Sequence, residues 1–386
     1  MNRFQMRKLS ELADIVTGTT PSSKQPEAWG NELDFITPSD QSEFYREASP
    51  SRFLSSYGAE LFKKRIVPAG STNLTCIGST IGKVSMAMRP SVTNQQINSI
   101  VAKKDVADPI FIYYMIRNWS GILKVEAAGS ATPIINKTTL SNYSFVVPPL
   151  AEQRAIAEVL GALDDKIAAN NRLVAQSDEL SQAIFRSSLI GDNQMLPLSS
   201  IADFVNGKAF TKNASGTGRV VIRIAEMNSG IGNSTVFNDI EVDEKHIARP
   251  GDILFAWSGS LTLQRWFRPE GIVNQHIFKV IARDGNPNWL VYELLRDKLD
   301  YYKRVAANKA TTMGHIQRKD LDELVHVPDG SSLTRIAAQM TALWNKMLNT
   351  EQESLQLAAT RDALLPQLMS GKMRVRDAEA VVEDVL

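Results

Sequence analysis

Few side chains in this 386-residue sequence have the types and spacing that catalysis requires. Gly78-Ser79-Thr80-Ile81-Gly82-Lys83-Val84 has the outline of a phosphate-binding loop. Such a loop needs four residues between its glycines and Ser or Thr after the lysine; here there are three, and a Val. The only Pro-Pro pair, Pro148-Pro149, lies between Val147 and Leu150, not in the Asn/Asp-Pro-Pro-aromatic loop of an amino-methyltransferase. Glu241-Val242-Asp243-Glu244-Lys245 holds the carboxylate-x-Lys pattern of some nucleases, a tripeptide that any solvated charged loop also provides. His246, His276, His315 and His326 show no metal-ligand spacing. The single Cys76 excludes an internal disulfide or a cysteine zinc cluster and fits a reducing compartment.

What the chain offers instead is hydrogen-bond donors in Gly- and Ser-rich stretches. A first group is Ser79, Thr80 and Lys83, then Asn94 and Gln95, then Thr132 and Lys137. A second group holds Ser258, Ser260, Gln264 and Arg265, then Asn274 and Gln275, then Thr311, Thr312, His315 and Lys319. Asn and Gln can read adenine bidentately, and Arg and Lys can read guanine. Asn94-Gln95 and Asn274-Gln275 fit a shared turn or a buried hydrogen-bond role equally well. Lys83 and Arg265 read as loop residues without counterparts in the other group, which favours contact with a ligand.

The two groups belong to a duplication. Leu9-Ser10-Glu11-Leu12-Ala13-Asp14-Ile15-Val16-Thr17-Gly18 recurs 189 residues later as Leu198-Ser199-Ser200-Ile201-Ala202-Asp203-Phe204-Val205-Asn206-Gly207. Thr93-Asn94-Gln95-Gln96-Ile97 recurs at Val273-Asn274-Gln275-His276-Ile277, and Val147-Pro148-Pro149 at Val327-Pro328-Asp329, both 180 residues on. The first copy therefore carries extra length before Gly70, expected within residues 21–32. A unit this long exceeds any solenoid or propeller repeat and predicts two similar domains. Short β-rich runs punctuated by Gly, Pro and Ser, with helical pieces near Pro109 and Pro287, predict an α+β fold for each.

After each Val-Pro motif the pattern changes. Ile156, Leu160, Leu163, Ile167 and Val174 alternate steps of four and three, with Asn170 filling the gap. Ile336, Met340, Leu343, Met347, Thr350, Ser354 and Leu357 repeat that series 180 residues later. This heptad spacing predicts two long helices packed as an antiparallel coiled-coil-like pair, with Asn170 and Thr350 as polar seam positions that fix register. The expected divisions are residues 1–149 and 192–329 for the domains, 150–191 and 330–372 for the helices, and 373–386 for a C-terminal tail.

Leu150-Ala151-Glu152-Gln153-Arg154-Ala155-Ile156-Ala157, followed by Leu163-Asp164-Asp165-Lys166-Ile167 and Asn170-Asn171, resembles the central conserved region of the specificity subunit of type I restriction-modification systems. Leu364-Leu365-Pro366-Gln367-Leu368-Met369-Ser370-Gly371-Lys372 resembles the end of its distal conserved region. The distal copy departs where the central helix opens Glu152-Gln153-Arg154, reading Leu333-Thr334-Arg335 and keeping only the Arg. The resemblance implies a non-catalytic subunit with two target recognition domains, each reading half of a split, asymmetric double-stranded DNA sequence. It implies that the helices act as a spacer and dock methyltransferase subunits, with an endonuclease and translocase subunit joining them. S-adenosylmethionine, ATP and Mg are then expected on those partners and no cofactor on this chain. Glu152, Gln153, Arg154, Asp164 and Asp165 are the polar positions expected to meet the methyltransferase; helix capping and a solvated face are the alternative for them.

Charge is balanced overall, 43 Lys+Arg against 42 Asp+Glu, but not by segment. Residues 1–150 carry 16 against 12 and residues 195–330 carry 17 against 16, whereas 151–194 carry 4 against 7 and 331–386 carry 6 against 7. The positive excess lies in the domains, as expected if they face phosphates and the helices face protein, and it is small enough to predict weak DNA affinity for the chain alone. The amino terminus lacks the apolar core of a secretory signal, so the expected location is cytoplasmic, with no membrane partner. Two other readings are a methyltransferase or nuclease with an unrecognised motif, and a coiled-coil adaptor with no DNA role.

Overall fold

The computed structural model describes residues 4–42, 44–128, 134–232, 234–308, 315–316 and 318–386. The chain divides into two compact units, Met1–Ala169 with Gln356–Leu386, and Asn170–Leu355. Each combines one sheet-bearing repeat with part of both long helices.

In the first unit, strand Gln5–Lys8 pairs antiparallel with Ser144–Val147, and the chain between them folds into two four-stranded sheets. One is antiparallel throughout, in the order Ala13–Thr17, Ile97–Ala102, Thr72–Thr75, Val84–Met86. The other runs Trp29–Gly30, Arg52–Leu54, Leu33–Ile36, Ser91–Thr93, and its last pair is parallel. Ile97–Ala102 is buried at its first four positions, so it reads as a near-continuous apolar and small-polar run rather than an alternating one. The helix Pro109–Ala128 starts where Asp108 accepts hydrogen bonds from the N–H groups of Ile110 and Phe111, both at 2.9 Å, with Pro at the first helical position. Its Phe111, Ile112 and Met115 share one core with Leu74, Val84 and Ile100 of the antiparallel sheet.

The second unit repeats the plan. Asn193–Pro197 pairs with Leu324–Pro328, and the antiparallel sheet runs Ala202–Asn206, Ile277–Ala282, Ile253–Ala256, Leu263–Arg265. The other sheet keeps the parallel pair, Arg219–Ile222 with Gly271–Val273, but has different edges, Phe237–Asn238 and Ile247–Ala248. The first copy's extra length is therefore not confined to residues 21–32. Part of it lies between Ile36 and Val67, where strand Arg52–Leu54, paired on both sides, is followed by helix Ser56–Leu61, while the edge strand itself is Trp29–Gly30.

The two long helices span Leu150–Ser188 and Gly330–Met369, ending a few residues before the expected limits. We call them the central and distal helices. In the first unit Ile156, Leu160, Leu163 and Ile167 of the central helix join Leu357, Leu364 and Leu368 of the distal helix in one core. In the second unit Asn170 donates to Glu353 and Ser181 contacts Met340, pairings that run in opposite chain directions and make the helices antiparallel there. Asn170 and Thr350 are both buried, as seam positions must be. The segment expected as a tail carries a further helix, Val375–Glu383, whose Ala378 and Val382 complete the first unit's core. Among the described residues no helix is long and apolar enough to cross a membrane.

Candidate nucleic-acid interface

At one end of each antiparallel sheet the same four segments converge, held by matching backbone hydrogen bonds. In the first copy Gly18 N–H donates to Ile97 O (3.0 Å), Thr19 N–H to Thr93 O (2.7 Å), Cys76 N–H to Gln96 O (2.8 Å) and Ile135 N–H to Cys76 O (2.9 Å). In the second, Gly207 N–H donates to Ile277 O (2.9 Å), Lys208 N–H to Val273 O (3.2 Å), Trp257 N–H to His276 O (3.1 Å) and Ile316 N–H to Trp257 O (3.1 Å). Ile77 bridges Ile134 as Ser258 bridges His315. The repeated glycine explains itself here. A Cβ on Gly18 would stand 2.0 Å from Asn94 O, and one on Gly207 2.1 Å from Asn274 O, so only Gly lets this loop lie against the turn.

The stretch Gly78–Lys83 is the turn of a hairpin, closed by Gly82 N–H on Thr75 O at 2.9 Å, and it leads from strand to strand. Gly78 (φ 86°) and its counterpart Gly259 (φ 69°) adopt the left-handed backbone at the same place in the two turns. No helix N-terminus follows to receive a phosphate, the second element such a loop requires.

Several predicted contact residues lie at this end of the sheet. Ser79 and Gln95 are exposed and Thr80 half-buried; Gln95 accepts a 2.5 Å hydrogen bond from Thr20. Ser260 is exposed beside Asn228, Ser258 is buried at its bridge, and His315 is half-buried beside Trp257. Lys137 and Lys319 are exposed, the first at the start of helix Lys137–Asn142, whose cap is Asn136, and the second in the turn Arg318–Asp322. Thr132, Thr311 and Thr312 lie outside the described residues.

Other expectations need correction. Lys83 turns its ammonium inward, donating to the carbonyls of Pro38 and Gln41 at 3.2 Å each. Arg265 is in a strand, not a loop, and is 6% exposed. It pairs with Glu351 of the distal helix at 3.0 Å and lies over the Trp344 ring. It is not available to a duplex unless that pair breaks. Gln264 precedes it in the same strand, half-buried. Asn94 has the turn role: its carboxamide accepts from Gln96 N–H (3.1 Å) and donates to the Gln96 side chain (3.0 Å). Asn274 and Gln275 differ, because the side-chain oxygens of both are buried without a hydrogen-bond partner among the described residues.

On the central helix, Arg154 is exposed and Glu152 half-buried, as a docking surface requires. Gln153 faces inward, accepting from Asp108 N–H (3.1 Å) and donating to Pro148 O (2.9 Å) and Val106 O (3.4 Å). Asp165 is exposed and pairs with Arg46 at 2.5 Å. Asp164 is buried, accepting from Tyr114 at 2.6 Å and pairing with Arg361 at 2.5 Å. Burial weighs against the Arg361 charge, but Asp164 and Asp362 outweigh it and raise its pKa; burial and then Asp164 push the Tyr114 hydroxyl well above its ordinary value. These groups are structural. Cys76 is likewise inert, its thiol pushed up to about 11 by burial. Among the described residues no group of three or more His, Cys, Asp or Glu is placed to hold a metal ion.

Trp257 and His276, neither of them among the expected contacts, stand with His315 at the loop end of the second copy. Their signal was present as unlike residues at matched repeat positions.

The type I restriction modification DNA specificity domain matches residues 1–176. Over its full length the chain is similar to the type I restriction enzyme MjaIX specificity subunit of Methanocaldococcus jannaschii, 25% identical across 97% of this chain and 94% of that protein. A stretch covering 38% of the chain is 34% identical to the type I restriction enzyme HindI specificity subunit of Haemophilus influenzae, of which it spans 32%. In fold, the chain is similar to the crystal structure of a type I restriction-modification S subunit from M. genitalium, with a TM-score of 0.55 at 16% identity, covering 95% of this chain and 96% of the other.

Proposed function

We propose, from the likeness of the chain to the specificity subunits of type I restriction-modification systems, that it is the non-catalytic subunit that chooses the DNA target. Each recognition domain reads one half of a bipartite, asymmetric sequence in double-stranded DNA. The central and distal helices set the spacing of the halves and dock methyltransferase subunits, with Glu152 and Arg154 as the accessible polar positions at the central helix start. An endonuclease and translocase subunit completes the cleaving assembly. S-adenosylmethionine, ATP and Mg belong to those partners, and the assembly works in the cytoplasm.

The observation that carries this reading is the repetition of one backbone frame with different side chains at its loop end: Cys76, Gln96 and Ile134 in one copy, Trp257, His276 and His315 in the other. A shared frame gives both domains one approach to DNA, and unlike side chains give two different half-sites. Methylation profiling of a host carrying the whole system tests it. A single split, asymmetric methylated motif is the expected result. Methyl transfer to DNA by the purified chain with S-adenosylmethionine alone would overturn the non-catalytic assignment, and no DNA binding even with methyltransferase subunits present would favour an adaptor.

A further inference from the structure

We propose that Trp257, His276 and His315 form a base-contacting platform in the second recognition domain and decide the sequence of its half-site. The proposal rests on the reading of that domain as a DNA-binding module, and it names the side chains that do the reading.

Three observations converge. The first is placement. Trp257 N–H donates to His276 O and Trp257 O accepts from Ile316 N–H, so the three rings are carried on segments locked to one another, with ring centroids 5.5 Å (Trp257 to His276) and 6.4 Å (Trp257 to His315) apart. Trp257 donates its indole N–H to Asn206 at 2.8 Å and packs against Phe278, which holds the ring in place at the surface. A held aromatic at the mouth of a loop cluster contributes contact area with little ordering cost on binding.

The second is substitution within a constant frame. The same backbone bonds in the first copy carry Cys76, Gln96 and the edge residue Ile134, none of them aromatic. Packing alone does not demand the change, because the frame closes with either set.

The third is an unmet hydrogen-bonding need in the residues just before His276. In the first copy Gln96 satisfies the Asn94 carboxamide. In the second, His276 stands where Gln96 stood, and Asn274, 6% exposed, keeps a side-chain oxygen with no partner among the described residues; the neighbouring Gln275 does too. A buried acceptor left unpaired costs about 1–3 kcal/mol, which a donor on a bound ligand would recover. The exocyclic amines of adenine and cytosine are such donors, the imidazole nitrogens suit the acceptor edges of purines, and the Trp face suits a thymine methyl. The ligand chemistry is therefore nucleobase edges rather than phosphate, which would call for cations.

The test exchanges the platform for its counterpart. The Trp257→Cys/His276→Gln/His315→Ile variant and the single His276→Gln variant, at an exposed position, are assembled as full chains with the methyltransferase subunits of the system, and methylated sites are profiled. The expected result is relaxation or change of sequence preference at one half-site, with the other half and the spacer unaltered. An unchanged motif in both variants, with the triple variant folded, overturns the platform, as does a uniform fall in methylation over all sequences. If the wild-type assembly methylates no bipartite motif, the failure lies with the DNA-reading assignment itself.

Discussion

In the first unit the buried acid that ties sheet-bearing domain to helices belongs to the central helix: Asp164 takes a hydrogen bond from Tyr114 of the domain and pairs with Arg361 of the distal helix, which also donates to Phe44 O. In the second unit it belongs to the domain: Glu293 takes a hydrogen bond from Ser181 of the central helix at 2.9 Å and pairs with Arg296, which reaches Asp178. A second tie, Arg265 with Glu351, joins the sheet edge to the distal helix and has the Trp344 face beneath it. Two copies of one fold thus place the most buried acid of the junction on opposite partners, although the Arg265–Glu351 tie keeps an acid on the helix. Setting a Glu293-type domain against Asp164 would bring two buried carboxylates together, a cost of the kind that discriminates right from wrong partners.

The largest effect is expected at Arg361. Arg361→Ala leaves Asp164 buried with only the Tyr114 hydroxyl, and loss of one partner of a buried pair costs about 3–5 kcal/mol. Denaturant unfolding should show this, and Asp164→Leu/Arg361→Leu should lose much less because no charge is orphaned. Equal losses for the two variants would mean that packing, not charge pairing, holds the junction.

Arg265→Ala sharpens the contrast in the second unit. It removes the ion-pair partner of Glu351 and leaves only the charge of Arg268 nearby; burial already raises the Glu351 pKa against the pull of Arg265, so the acid can take up a proton and the loss should be about 2–3 kcal/mol. The salt dependence of DNA binding by the assembled complex should not move. A changed salt slope with unchanged stability would return Arg265 to the DNA surface.

Gln153→Leu probes the start of the central helix, where the first copy uses an amide and the second has the half-buried Leu333 at the repeat-equivalent position. The Asp108 N–H and the Pro148 and Val106 carbonyls lose their partner, for an expected cost of about 1–3 kcal/mol in thermal or denaturant unfolding. No loss would mean that water or repacking replaces the amide.

The duplication, the sheet-bearing repeats and the helical seam were legible because they are periodic: a recurring decapeptide and a heptad pattern need no knowledge of distant contacts. The errors fell where a partner far along the chain decides. Arg265 meets a helix residue 86 positions later, and Gln153 faces a loop 45 positions earlier, so neither a basic residue beside Gln nor a polar triplet at a helix start shows which way it turns. Of the three rings gathered at the loop end of the second copy, only His315 was legible as a contact, for a related reason. The rings come from three separate segments, and histidines searched by spacing for a metal look like isolated surface residues.

The smallest effect concerns pH and separates two acid populations within the second unit. Glu293 and Glu351 have pKa values raised chiefly by burial, against the pull of Arg296 and Arg265. Between the ordinary and raised values the folded state binds more protons than the unfolded one, so their contribution to stability falls as pH rises through that window. Asp329 caps the distal helix by accepting from Ser331 and Ser332 N–H, at 2.8 and 3.2 Å, and its pKa is lowered first by the hydroxyls of Ser331 and Ser332 and then by those backbone bonds. Its contribution is present above the ordinary Asp value and is lost as pH falls below it. On acidification from neutral pH, wild type should therefore gain stability relative to Glu293→Gln/Glu351→Gln before it loses stability relative to Asp329→Asn. Hydrogen exchange at Val291 and Leu294, compared between wild type and variant at each pH, reads the first step within the second unit. If wild type and the double Gln variant kept a constant difference across that window, the two glutamates would titrate alike in folded and unfolded chains, and the buried acid would cost the second unit nothing.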